Sequence, residues 1–198
     1  MPPKRFDPDE ALARACDAFW AKGYEGTSAQ DLVDAMGINR GSLYATFGNK
    51  RRLYELALDL YLERDRATLA KTLDGEPPLR AILAQLLGRY ADQLAADPER
   101  RGCFFANACA ELSPDDAPLA ARLTAELDAQ RGLFEDAFRA ARDRGEPLAS
   151  RDEVQLAGFV VGALQGMRLV GKVTGDRDRL ESIITLTLDA ISGPGFQT

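Results

Sequence analysis

The chain of 198 residues holds three cysteines, Cys16, Cys103 and Cys109, and no histidine. Without histidine the commonest general base and the commonest metal ligand are both missing. That excludes Ser-His-Asp and Cys-His catalysis and nearly every zinc site, so no catalytic residue, metal or cofactor is expected. No CxxC pair occurs, and an odd cysteine count reads as reduced and intracellular. Cys103 is the thiol whose surroundings favour reactivity. It follows Arg100-Arg101-Gly102 in the first turn of a predicted helix, Gly102 to Leu112. The helix dipole and the two cations would favour its thiolate there, and Lys172 could add a third positive charge. The alternative is that Cys103 is a small buried apolar residue. Cys16 lies on an apolar helical stripe and is expected to be inert. Cys109 sits about 240° around the helix from Cys103, so the two cannot bridge.

The second chemistry is anion binding. Net charge is −6, but it is unevenly spread. Residues 1–52 carry 8 Lys/Arg and 7 Asp/Glu, and the cluster Lys50-Arg51-Arg52 closes that stretch. The remaining residues carry 17 and 24. A near-neutral head therefore precedes an acidic body. With 45% hydrophobic residues, disorder is excluded as the main state.

The elements that must position these groups read as helices throughout, with no sustained strand alternation. Asp7 caps the first helix, Pro8 suits its first position, and Glu10 stands where a capping box needs it. Leu12, Ala15, Cys16, Phe19 and Trp20 form its apolar stripe, and Gly23 ends it. Thr27 or Ser28 caps a short helix carrying Leu32, Val33 and Met36, which stops at Gly37. Asn39 caps another from Arg40 to about Thr46. Asn49 caps a long helix with Leu53, Leu56, Ala57, Leu60 and Tyr61 on one stripe. Gly75-Glu76-Pro77-Pro78 breaks the chain before a helix over 79–96. A helix opened by Ser113-Pro114 runs to about Gly145, and Ser150 with Glu153 forms a capping box for an apolar helix to Val173. Asp176 starts the last helix, which ends near Ser192-Gly193-Pro194. The result is an all-α chain of about nine helices.

Met1 to Asp9 has no apolar run of the kind a secretory leader needs, and a cytoplasmic location is expected. The apolar helix has only 14 uncharged residues between Glu153 and Arg168, so it is expected to be buried and not in a membrane.

The stretch from Thr27 to Phe47 has the form of a helix-turn-helix: two short helices joined at Gly37. In such a unit the second helix enters the major groove of DNA. With Leu43 facing inward, Arg40, Gly41, Ser42, Tyr44 and Thr46 face out. Arg40 can donate to guanine or phosphate, and Tyr44 can stack on a thymine methyl or reach a phosphate. Asn49-Lys50, at the next helix start, offers free N–H groups and a cation to a second phosphate. The alternative is a helical hairpin that only packs.

Three strings carry a more specific signal: Gly23-Tyr24-Glu25-Gly26-Thr27-Ser28, then Gly37-Ile38-Asn39-Arg40-Gly41-Ser42-Leu43-Tyr44, then Phe47-Gly48-Asn49-Lys50-Arg51-Arg52-Leu53. Together they resemble the tetracycline-repressor (TetR) family of bacterial regulators, over about Ala11 to Leu58. The resemblance implies a three-helix DNA-binding head, residues 1–52, linked by the helix from residue 49 to a ligand-binding and dimerising body, residues 53–198. It further implies phosphate contacts from Thr27 and Ser28, base or groove contacts from Arg40, Gly41 and Ser42, and phosphate anchors at Tyr44 and Lys50. Thr46 stands where relatives often carry His or an aromatic residue. The string from Arg101 to Leu112 resembles a branch of the family with Gly-Cys at this position, some members of which respond to electrophiles or oxidants.

In the body, Gly158, Gly162 and Gly166 recur every four residues and clear a path for close backbone approach. The last helix carries Ile183, Ile184, Leu186, Leu188 and Ile191. The resemblance implies that these two helices pair with their copies in a homodimer; an intrachain neighbour packing on the glycines is the alternative. Expected walls of an effector pocket are Leu86 and Tyr90, then Phe104, Phe105 and Asn107, then Phe134 and Phe138, with Leu164, Met167 and Arg168 opposite. Such walls suit a small, largely apolar effector. The combined reading is a homodimeric regulator, a repressor, that binds a palindromic double-stranded operator and is released by an effector or by thiol modification. A small thiol enzyme using Cys103, and an activator of the same fold, are the rival readings.

Overall fold

The computed structural model describes residues 6–75, 78–112 and 116–193. Nine helices are found among the described residues and carry the all-α expectation: α1 (Pro8–Gly26), α2 (Ala29–Met36), α3 (Arg40–Phe47), α4 (Lys50–Leu73), α5 (Leu79–Ala96), α6 (Phe104–Leu112), α7 (Ala117–Asp143), α8 (Glu153–Thr174) and α9 (Arg177–Ile191). Asp7, Asn39, Asn49 and Asp176 cap their helices with side-chain carboxylate or amide oxygens, as their positions predict.

Several boundaries differ from expectation. Gly23 does not end α1. It kinks the helix at φ 74°, ψ 175°, and the chain continues to Gly26. Glu10 pairs with Arg14 on the next turn, while Asp7 Oδ1 accepts from the N–H groups of Asp9 and Glu10. The cap of α8 is Asp152, which accepts from Gln155 N at 2.7 Å, in place of the expected Ser150 box. For α7 the cap is Asp116; the expected opening at Ser113-Pro114 lies outside the described residues, as do Glu76, Pro77 and Pro194 in the expected breaks.

Two apolar cores are formed. In the head, Ala15, Phe19, Leu32, Leu43, Phe47, Leu53, Tyr54 and Leu58 meet, and Phe104, Phe105 and Ala108 of α6 join them with Leu119 and Leu123 of α7. In the body, α5, α7, α8 and α9 bury Leu83, Leu87, Phe134, Phe138, Val160, Leu164 and Ile184, and Leu69 of α4 reaches them. The expected boundary at residue 52 therefore falls inside α4, one helix whose first half belongs to the head core and whose end belongs to the body core.

By length and composition alone α8 could cross a bilayer. Its place in the fold explains its apolarity differently. Leu156, Ala157, Val160, Leu164 and Met167 are buried in the body core. Its opposite face is open: Phe159, Leu169 and Val173 are exposed, and a Cβ on Gly158, Gly162 or Gly166 would meet nothing within 4 Å. Among the described residues, none packs on those glycines. Leu186 of α9 is 69% exposed, whereas Ile183 is half-buried against the body core.

Candidate nucleic-acid interface and effector cavity

The helix-turn-helix is set by its caps. Ser28 and Asp31 form a reciprocal box: Ser28 Oγ accepts from Asp31 N at 3.1 Å, and Asp31 Oδ2 accepts from Ser28 N at 2.8 Å. Lys22 also donates to Asp31. These donors, Lys22 first and then Ser28, hold the Asp31 carboxyl well below the usual carboxylate range. Thr27 is a correction to the expected contacts. It is fully buried, and its hydroxyl donates to Gly23 O at 2.6 Å, so its side chain is not presented to a phosphate. Ser28 remains exposed.

In α3, Asn39 Oδ1 accepts from Ser42 N at 2.8 Å, and Leu43 and Phe47 anchor the helix in the head core. Arg40, Gly41, Tyr44 and Thr46 lie exposed on the outer side, and Ser42 is half-buried. Arg40 stands 5.8 Å from the Tyr44 ring centroid, so the two form one surface. At the start of α4 the three adjacent cations divide. Lys50 Nζ rides over the Tyr24 ring at 4.4 Å. Arg51 is tied to Glu55 at 2.8 Å and to Asp116 of α7. Arg52 lies 3.6 Å from Glu55 and is largely exposed. Sequence proximity suggested one basic cluster; the fold turns Arg51 into a strut between the head and α7.

The head is joined to α6 by an unforeseen contact. The Glu111 carboxylate accepts from Tyr24 N and Glu25 N, both at 2.9 Å, just past the Gly23 kink. Gly23 stands at φ 74°, where glycine is favoured, and a Cβ there would stand 2.9 Å from Glu111 Oε2 and displace the carboxylate.

A cavity of about 670 Å³ lies beside α1, between α4, α5, α8 and the 97–103 loop. Its wall corrects the expected pocket. Tyr90 and Arg168 line it, and so does Cys103, but the rest of the wall differs from the expected aromatic set. Leu86, Phe134, Phe138, Leu164 and Met167 are body core, and Phe104 and Phe105 are head core. Asn107 donates to Arg101 O at 2.9 Å and accepts from Lys172 Nζ at 2.6 Å. The wall instead mixes apolar surface with charged side chains and reaches the head through Cys16, Asp17 and Trp20 of α1.

Around Arg168 the polar groups are tightly linked. Its Nη2 donates to Asp65 Oδ2 at 2.8 Å, and Tyr90 donates to Asp65 Oδ1 at 3.0 Å. Burial opposes the Arg168 charge, but Cys103, Asp65, Tyr90 and Tyr61 outweigh it, so its pKa is raised. Burial, then Asp65, pushes the Tyr90 hydroxyl up as well. Cys103 is buried and precedes α6 instead of lying in its first turn; its carbonyl accepts from Asn107 N at 3.0 Å. Its Sγ accepts from Tyr61 Oη at 3.5 Å. The stem of Lys172 lies against Gly102 and its ammonium is bonded to Asn107. Burial pushes the thiols of Cys16 and Cys109 up to about 11 each. Among the described residues no group of three or more Cys, Asp or Glu is placed to hold a metal ion.

A capped two-helix unit with an exposed polar second helix, carried on a helical body, defines a helix-turn-helix regulator of transcription. Residues 11–57 match the family described as bacterial regulatory proteins, tetR family, and residues 76–187 match the tetracyclin repressor-like C-terminal domain. The chain belongs to the TetR family. It is 34% identical to the HTH-type transcriptional repressor ComR of Escherichia coli (strain K12), across 94% of this chain and 89% of that protein. It is 32% identical to the HTH-type transcriptional regulator YezE of Bacillus subtilis (strain 168), across 95% and 97%. Among solved structures, a cysteine mutant of the TetR family regulator CifR, complexed with 26-bp double-strand operator DNA, superposes with a TM-score of 0.84. That match has 34% identity and covers 96% of this chain and all of that one. The family is one of DNA-binding regulators and not of enzymes.

Proposed function

We propose that the protein is a cytoplasmic one-component repressor that binds a palindromic operator as a homodimer and is released when the cavity beside α1 is filled. The observation that carries the reading is the composition of the cavity wall. It includes Trp20 of the head, whose Nε1 donates to Gly102 O at 3.1 Å, together with Arg168 of α8. A ligand there touches both the head and the buried side of α8, the helix whose open side carries the seam, so its binding free energy can differ between two head spacings. The repressor assignment follows ComR, a repressor, and the operator-bound CifR. The open face of α8 and α9, with its three glycines and exposed Phe159, Leu169 and Leu186, supports the dimer. On α3, Arg40, Gly41 and Ser42 are the residues for base or groove contacts. Ser28, Tyr44 and Lys50 serve phosphates, the Ser28 and Lys50 contacts aided by helix N-termini. Cys103, on the same cavity wall, offers a second route to release by thiol modification.

Selection of bound sequences from a genomic DNA pool, followed by light scattering of the complex, tests the reading. A palindromic site bound by two copies is expected. A monomer bound without sequence preference refutes it.

A further inference from the structure

Four buried side-chain atoms have no hydrogen-bond partner among the described residues: Tyr54 Oη, Gln165 Oε1, Arg101 Nε and Arg168 Nη1. Arg101 and Arg168 belong to the cavity wall. Both orphaned atoms are guanidinium N–H groups. Arg168 is the sharper case, being only 3% exposed. The groups around it are already engaged with one another. Both oxygens of Asp65 accept, one from Arg168 Nη2 and one from Tyr90. Tyr61 donates to Cys103. Asp97 also accepts at both oxygens, from Glu99 N at 3.2 Å and Arg101 N at 2.8 Å. Arg101 Nε lies 3.6 and 3.5 Å from the carboxylates of Asp97 and Glu99, without a hydrogen bond. At the exposed edge, Arg64 and Asp17 offset one another in charge.

The apolar part of the wall is flat-sided. Trp20 and Tyr61 meet edge to face with centroids 5.1 Å apart. The Arg168 guanidinium stands 4.8 Å from the Tyr90 ring centroid, which fixes its plane. With Nη2 held by Asp65 and Nη1 to spare, the Arg168 guanidinium offers a charge-assisted hydrogen bond that a carboxylate accepts more strongly than a neutral group does.

We propose that the cavity takes a small planar aromatic acid, its carboxylate accepting from Arg168 Nη1 and its ring lying among Trp20, Tyr61 and Tyr90. This deepens, and rests on, the reading of the cavity as the effector site. The space of about 670 Å³ admits a two- or three-ring acid.

Calorimetric titration of the full-length protein with 2-naphthoate and 9-anthracenecarboxylate, beside the matching primary amides, tests the class. The acids should bind at least tenfold tighter than the amides. Arg168→Met alone leaves Asp65 buried and unpaired, so the informative variant pairs it with Asp65→Leu. That double variant should lose the preference for the acid, binding acid and amide within about twofold of one another. Equal binding of acid and amide to the unaltered protein, no binding of either acid, or a double variant that still prefers the acid overturns the proposal. Operator release, followed by fluorescence anisotropy in the same titrations, separates the two readings. Acids that bind through Arg168 without releasing the operator uphold the ligand class and refute the effector site. Neutral aromatic compounds that release the operator as well as the acids do uphold the effector site and refute the ligand class.

Discussion

Replacing Gly23 with alanine tests the junction between the head and α6. Gly23 adopts φ 74°, ψ 175°, a region that L side chains avoid, and forcing alanine into it costs about 1–3 kcal/mol. The new Cβ would also stand 2.9 and 3.0 Å from the two Glu111 carboxylate oxygens. Those atoms end a flexible side chain, so they would move aside instead of holding a clash. The consequence is loss of the two bonds to Tyr24 N and Glu25 N. Hydrogen bonds to a charged group contribute about 1.5–3 kcal/mol when buried; exposure of Glu111 lowers this to about 1–2 kcal/mol for the pair. Gly23→Ala should therefore cost about 2–5 kcal/mol in the unaltered protein and about 1–3 kcal/mol when Glu111→Ala is already present. Urea unfolding at one fixed protein concentration measures both, and the difference is the coupling between the residues. An equal cost in the two backgrounds would show that the carboxylate contributes nothing at the kink. A neutral Gly23→Ala would refute the strained backbone itself.

Three further outcomes are expected. Tyr44→Ala, at a 38% exposed position, should change stability by no more than about 0.5 kcal/mol while weakening operator binding; Lys50→Ala should weaken binding to all sequences and lower the salt slope by about one per half-site, both read by anisotropy at two salt concentrations. A Cβ at Gly162 meets no other described residue within 4 Å, so for Gly162→Leu circular dichroism should be unchanged while sedimentation shows a monomer that no longer binds operator; a folded dimer would place the seam elsewhere. With thiols pushed up to about 11, Cys16 and Cys109 hold about 0.01% thiolate at pH 7, so their alkylation should be slow and rise about tenfold per pH unit to pH 10. Their folded pKa lies above the ordinary 9.0, so the stability they contribute is present below pH 9 and falls between pH 9 and about 11.

Local signals in the chain were sufficient for the caps and inner faces of the short head helices. Asn39, Asn49 and the Leu43–Phe47 anchor act within one turn of themselves, and periodicity reports such relations directly. The same holds for α8, whose all-round apolarity anticipates a core face and an open face. The cavity was not legible for the opposite reason. Phe134 and Phe138 share a helical stripe, but a stripe does not say whether it faces a core or a void. Which side chains border empty space depends on how α1, α4, α5 and α8 meet, and on Trp20, Tyr61 and Arg64, more than a hundred positions before Arg168. The pairing of Arg51 with Asp116 and the capture of Tyr24 N by Glu111 are likewise contacts across 65 and 87 positions. Of the two hydroxyls expected at the start of α2, Ser28 faces outward while Thr27 turns in to donate to Gly23 O at the kink, a relation the local pattern does not encode.

Because Phe104, Phe105, Ala108, Leu119 and Leu123 complete the head core, the DNA-reading part of this chain is not a contiguous module. A fragment ending after α4 would leave Tyr54 and Tyr61, whose rings meet that of Phe104 at 5.5 and 5.6 Å, facing water where α6 belongs. Hybrid regulators that graft this head onto a foreign sensor must therefore transplant α6 and the first turns of α7 as well, or redesign their contacts. A change of operator specificity in such hybrids is better made by exchanging the exposed residues of α3 alone, which leaves every shared core contact in place.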